Sequence, residues 1–245
     1  MNAAALPISM IVVARLQPAG VAGVFAVIAI IVAIIVLAAR GESRRRRELF
    51  DALRARGFHV SEKPSRTELD SLFVAFDGMA PLKKGAKGLR WHATGRSGVG
   101  DIQIIEHAYT VSSGKHHHTV INTCVAVVGG ISWPTLTLEG EGALARFAEM
   151  LGATPDIKLE DEAFNKRWRV KCDDEAFALA VLSPEVQLTL IAAPRADWWA
   201  IGGPFGTVCL GRRGPTTDKS LAEMLTSVET LIAHFPPEAR AGMGL

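Results

Sequence analysis

The chain reads as an α+β protein: one N-terminal transmembrane helix, then a soluble domain of antiparallel hairpins packed with amphipathic helices. Three observations predict this. An uncharged apolar run from Ala19 to Ala39 ends in a block of arginines. Apolar residues alternate with polar ones from Leu89 onward and again over Arg167 to Cys172, as half-buried antiparallel strands require. Between and after these strands, apolar residues recur at helical spacing.

The apolar run, assigned to 18–39, reaches roughly 30 Å as a helix, the thickness of a bilayer's hydrocarbon core. Basic side chains stay on the cytoplasmic side of a span. Arg40, Arg44, Arg45, Arg46, Arg47, Arg54 and Arg56 follow this one, and only Arg15 precedes it. The expectation is a single-pass bacterial inner-membrane protein with the N-terminus outside and the C-terminal domain cytoplasmic. A cleaved signal peptide has the opposite order, charge before a shorter apolar core. Residues 1–17 read as a short tail. Arg40, Arg44, Arg45, Arg46 and Arg47 set topology, and the same charges suit contact with anionic lipid headgroups. Within the span, Ala22, Ala26, Ala29 and Ala33 fall on one stripe, which suits self-association in lipid.

Residues 40–60 are expected to form a basic juxtamembrane helix, with Leu49 and Leu53 on one face and Gly57 as its stop. Residues 61–87, with Pro64, Gly78, Pro81 and Gly85, read as a loose connection. The soluble domain is assigned to 88–235. Trp91 and Ala93 alternate with Arg90, His92 and Thr94, and Gly95 to Gly100 forms a turn. Over Asp101 to Val111 the inward phase passes from Ile102 and Ile104 to Ile105 and Tyr109, which predicts a bulge. Ser112 to Lys115 turns the chain into a strand over His116 to Val128. Leu136 and Leu138 then precede a helix carrying Leu144, Phe147, Met150 and Leu151. Asp156 to Leu159 is extended. In the next strand Trp168, Val170 and Cys172 face inward, with Arg167, Arg169 and Lys171 outward. Asp173 and Asp174 cap one helix, Ser183 and Pro184 start another, Trp198 to Leu210 is a second hairpin about Gly202 and Gly203, and Asp218 caps a closing helix with Leu221, Leu225, Val228 and Ile232 aligned. Residues 236–245 are a tail.

The chemistry is sparse. Net charge is +2, which implies no strongly electrostatic partner, and no nucleic-acid interface is expected. Cys124, Cys172 and Cys209 lie in apolar or strand settings without C-x-x-C spacing, reading as buried free thiols in a reducing compartment. His116, His117 and His118, with His107 on the facing strand and Asp101 and Glu106 nearby, are candidates for metal, yet neighbouring strand histidines diverge to opposite faces. They read as a solvated hairpin tip. Asp161, Glu162, Asp173, Asp174 and Glu175 precede apolar helices, so capping accounts for them. Lys166, Arg167, Arg169 and Lys171 resemble a phosphate grip and read better as a solvated sheet face. The Gly95-x-x-Gly98-x-Gly100 and Gly202-Gly203-x-x-Gly206 stretches lack the strand-to-helix setting of a phosphate loop. No G-x-S-x-G or H-E-x-x-H motif occurs. No catalytic residue, metal or cofactor is therefore assigned.

Taken in order, His107-Ala-Tyr109 through Ser113-Gly114-Lys115-His116, Thr135 to Leu138, Asp156-Ile157, Phe164, Arg169-Val170 and Asp173-Asp174-Glu175 resemble a family of uncharacterised bacterial single-pass membrane proteins. The likeness covers most of Arg40 to Ile232 and implies an anchor with a cytoplasmic α+β domain. It supplies no catalytic residues. The expected function is a membrane-anchored binding or scaffolding module with a protein partner. The competing expectations are a membrane-tethered hydrolase or metal enzyme using His107 and His116 to His118, and an anionic-lipid-binding protein.

Overall fold

The computed structural model describes residues 18–65, 67–68, 72, 88–113, 116–140, 156–193 and 196–244, with backbone alone at 18–29, 35, 38–39, 113 and 116. The chain divides into two compact units, Met1–Arg47 and Glu48–Leu245. The expected helix carrying Leu144 to Leu151 and most of the 61–87 connection lie outside the described residues.

Helix α1 runs Pro18–Ala55. Among the described residues no single helix is long and apolar enough to cross a membrane. In the second unit, Leu49, Phe50 and Leu53 of α1 are buried, and Phe50 meets Trp91 edge to face at 5.5 Å between centroids. That face of apolar side chains is why the unit begins at Glu48 and not at the expected residue 88. The helix ends at Ala55 rather than extending to residue 60. Gly57 follows with φ +84°, a left-handed conformation that releases the chain, and His59–Ser61 forms strand β1.

The fold is α+β, with an antiparallel sheet in the order β1-β2-β3-β4-β9-β8-β5-β7-β6. The strands are β2 (Leu89–Ser97), β3 (Gly100–Ser113), β4 (His116–Val128), β5 (Trp133–Gly140), β6 (Asp156–Ile157), β7 (Trp168–Cys172), β8 (Trp198–Gly203) and β9 (Thr207–Arg213). Hairpins join β2 to β3, β3 to β4 and β8 to β9. The glycine stretches serve as turns: Gly100 and Gly202 take φ +110° and +118° at two of these connections.

One sheet face packs on helices α2 (Glu162–Arg167), α3 (Glu175–Val181), α4 (Pro184–Ala192) and α5 (Asp218–Ala233). The core joins Ile102, Ile104, Val125, Val127, Leu136, Leu138, Val170, Trp199, Val208 and Leu210 of the sheet to Phe164, Ala178, Val186, Leu190, Leu221 and Val228 of the helices. Helices α3 and α4 form a pair bent by 72° with the length and composition of a broken span, but Ala178, Val181, Val186 and Leu190 are buried in this core. Asp161, Asp174 and Ser183 cap α2, α3 and α4. Helix α5 is capped by Thr217, not Asp218, because Thr217 and Ser220 form a reciprocal capping box. The stretch expected as a tail contains helix α6 (Pro237–Gly242), and Met243 beyond it joins the core.

The second sheet face is buried too, which explains two departures from the sequence reading. The β3–β4 pairing continues without a slip from Asp101↔Val128 to Ser113↔His116, so no bulge interrupts it. Ile104 and Ile105 are both buried because each lies on a covered face. The shift in register falls instead between Leu89 and Trp91 on β2. On β7, Lys171 is not on a wet face: it is buried and its Nζ lies 3.3 Å from the Glu139 carboxylate. A buried ion pair of this kind specifies which strands are neighbours more than it adds net stability.

Trp198 stands opposite Gly211 across β8 and β9. A Cβ on Gly211 would lie 1.8 Å from the Trp198 ring, so only glycine admits the indole. Gly211→Ala is expected to cost about 2–3 kcal/mol by overpacking, and Trp198→Leu in the same chain to recover part of it. Chemical unfolding of the two variants beside wild type measures both effects.

Candidate functional site

On the β3–β4 hairpin, His107 does not converge with His117 and His118. His117 and His118 are exposed and His107 is buried. His118 pairs with Val111, whereas His107 pairs with Asn122, four residues further along each strand and roughly 13 Å away at strand rise. Among the described residues, no group of three His, Cys, Asp or Glu side chains could hold a metal ion.

The basic residues expected to form an outer face each have a local task. The Arg167 guanidinium donates to the backbone carbonyls of Ile191 and, at 2.7 Å, Ala193. It thereby satisfies the carboxyl end of α4, where a cation is favoured. Arg169 Nε lies 3.7 Å from Asp156, and Lys166 Nζ 3.8 Å from Glu162. Asp161 accepts from the amides of Ala163 and Phe164, and Asp174 from Phe177. They are caps. Cys124, Cys172 and Cys209 are free and buried. Burial pushes the Cys172 thiol up, and pushes that of Cys209 up further with Cys124 beside it, so neither is poised as a thiolate nucleophile.

Sequence reasoning missed a buried network around Glu106. Its Oε2 accepts from the Thr216 amide and hydroxyl, both at 2.9 Å, while Arg90 Nη1 lies 3.0 Å from Oε1. The Thr216 hydroxyl also meets that of Thr123 at 2.6 Å. This carboxylate fixes the chain immediately before Thr217, which caps α5. Glu106, read in the sequence as a carboxylate near the candidate metal histidines, gave no signal of this role, because its partner lies 110 residues away in sequence.

A groove of about 720 Å3 follows α4 and α5, lined by Leu188, Thr189, Ala192, Ala222, Thr226 and Thr230 among others, with Lys219 and Glu223 as its charged residues. Leu188 is 63% exposed. Small side chains and hydroxyls make this a surface suited to an apolar segment; at its edge the Thr189 hydroxyl donates to the Glu185 carbonyl at 2.8 Å and lies 3.3 Å from His234 Nδ1.

The first unit carries the arginines. Glu42 accepts from Arg45 at 2.8 Å and lies 3.6 Å from Arg46, so these two turn toward one side of α1. Val36, Arg40, Ser43, Arg44 and Arg47 line a separate groove of about 610 Å3. Of the Ala22, Ala26, Ala29 and Ala33 stripe, the first three have side chains outside those described.

Compared with known protein families and with curated proteins, the chain shows no match. Among solved structures it is similar to the crystal structure of the mycobacterial trehalose monomycolate transport factor A, TtfA, with a TM-score of 0.51 and 14% sequence identity. The likeness covers 81% of this chain and 98% of the chain in that crystal structure. At that identity the two share a fold.

His92 is a titratable group with a strongly displaced proton affinity. It is buried, and its Nε2 has no hydrogen-bond partner among the described residues. Burial lowers its pKa from 6.5 to about 4, with Glu68 opposing the shift and His59 reinforcing it. Between those values the unfolded chain takes up a proton that the folded chain refuses, so stability falls as pH drops through that window and is retained above it. The loss by the lower end is expected to reach about 3 kcal/mol. Thermal melts of wild type and His92→Gln from neutral pH to the acid end should show a steeper fall for wild type. Parallel curves would mean that His92 is not the group responsible.

Proposed function

We propose that this chain is a single-pass bacterial inner-membrane protein whose cytoplasmic α+β unit is a binding or scaffolding module. The observation that carries the proposal is the outward apolar surface of α1. Ile30, Ile31, Val32, Ile34 and Leu37 are between 50% and 66% exposed. At 100° per residue these positions surround the helix instead of forming one stripe. A helix apolar on all sides needs an apolar solvent, and Ala19 to Ala39 holds no charge to prevent hydrocarbon burial. The arginines that follow favour a cytoplasmic C-terminal unit. We place the family resemblance of the sequence beside this reading as a further support.

For that unit, the groove along α4 and α5 is the surface proposed to receive a partner. The geometry around the histidines and carboxylates offers no competing reactive site among the described residues. TtfA is named a transport factor, and an accessory role in a membrane transport assembly is the form of scaffolding we propose here.

A C-terminal fusion to alkaline phosphatase, active only in the periplasm, should stay silent in cells while a C-terminal fluorescent fusion is bright. The protein should also remain in membranes washed with alkaline carbonate. A strong phosphatase signal would reverse the orientation, and release by carbonate would remove the anchor.

A further inference from the structure

We propose that the groove along α4 and α5 receives an amphipathic α-helix of a partner protein, about three turns long, with a carboxylate at the end that meets Lys219 and a basic group at the end that meets Glu185. The inference rests on the reading of that groove as the partner surface and names what fits it. Along α5 the lining runs from Lys219 through Ala222 and Thr226 to Thr230, roughly 16 Å at helical rise, or about three turns of a helix laid beside it. Leu188 and Ala192 line the α4 side. Thr189 lies 3.3 Å from His234 at the carboxyl cap of α5. From that point α4 continues to Ala192 beside the earlier turns of α5, so the two helices run antiparallel.

Side-chain size and backbone chemistry pick out a helix as the occupant. Ala192 and Ala222 leave room for close approach, and Leu188, 63% exposed, is a ridge that enters between the side chains of an incoming helix. Both walls are helices whose backbone groups are bonded within themselves. An extended segment laid here would find no strand edge to pair with and would lose water from its buried amides and carbonyls, whereas a helix arrives with its backbone satisfied.

Charge gives that helix a direction. Asp218, beside Lys219, is held by Arg56 at 2.9 Å, and Glu223 is held by Arg212 at 3.5 Å. Lys219 is exposed, lines the groove and forms no ion pair among the described residues. Glu185 is likewise exposed and without an ion pair among the described residues. Helical spacing sets it on the same face of α4 as Leu188 and Ala192, one turn before Leu188 and so at the opposite end from Lys219. The groove therefore has a positive end, a negative end and a floor of apolar and hydroxyl side chains between them. Complementary charge of this kind fixes the orientation of a partner more than it adds affinity.

The test uses the full chain in phosphatidylcholine nanodiscs as bait for a phage-displayed library of peptides randomised on a helical scaffold of about three turns. Enriched peptides should share apolar residues at i, i+3, i+4 and i+7, with Asp or Glu beyond one end and Lys or Arg beyond the other. A labelled peptide of that consensus, followed by fluorescence anisotropy, should bind the Lys219→Glu variant about tenfold more weakly than wild type, since one ion pair is lost and one repulsion gained. Exchanging the peptide's carboxylate for lysine should bring its affinity for that variant back to within about twofold of the original pair. Thr226→Trp and Thr230→Trp each fill the groove from an exposed position, and both should remove binding while the thermal transition stays in place. Peptides that these two variants block, but that lack the helical spacing or bind Lys219→Glu undiminished, overturn the helix and leave the groove as a partner surface. Peptides that neither variant disturbs, or a library without enrichment, overturn the inference and the groove reading together. Self-association of wild type that both variants abolish, seen by sedimentation in detergent, overturns it in favour of a second copy of this chain.

Discussion

Burial of both faces of the sheet is the constraint from which most of the second unit follows. A sheet with one wet face could leave its polar residues to water. Here Ile105, Cys124, Ala126 and Cys209 are buried on the face opposite the helical core, along with His92, His107, Asn122, Glu139 and Lys171. Charged groups placed there have to be paired, as Lys171 and Glu139 are, or remain neutral, as His92 does when burial lowers its pKa. Size is constrained as strictly as charge. Trp198 occupies the space that a side chain on Gly211 would need, so the β8–β9 pair depends on glycine at that one position.

On the helical face the same economy fixes the ends of helices. Arg167 closes the carboxyl end of α4, and Glu106 holds Thr216 so that Thr217 can cap α5. Both devices take side chains from strands or from the helix beside a strand, and both tie helix termini to the sheet. The groove along α4 and α5 therefore lies between two helices that are each tied to the sheet at one end. In the first unit the described large apolar residues are exposed, and Glu42 forms ion pairs with Arg45 and Arg46.

Sequence by itself determined the α+β class, the alternation of β2 and β7, the strand and hairpin placement of β4, β8 and β9, the caps on α3 and α4, and the turns at Gly100 and Gly202. Each of these depends on residues within one or two turns of each other: a Ser before Pro184, a Gly where φ is positive, a period of two along a strand. The local pattern also exposed the uncharged run and its arginine flank, though not the ion pairs of Glu42 with Arg45 and Arg46, which take three-dimensional contacts to see. Tertiary structure alone decided what pairing and burial do over long range. Alternation identifies a face without saying whether that face meets water, so Lys171 was read as exposed and the phase change at Ile105 as a bulge. Glu106, Thr123 and Thr216 converge from distant positions, and the value of Gly211 depends on an indole thirteen residues before it across a hairpin. A carboxylate or a glycine has the same local signature whether it is structural or incidental, and only the neighbour brought to it by the fold distinguishes the two.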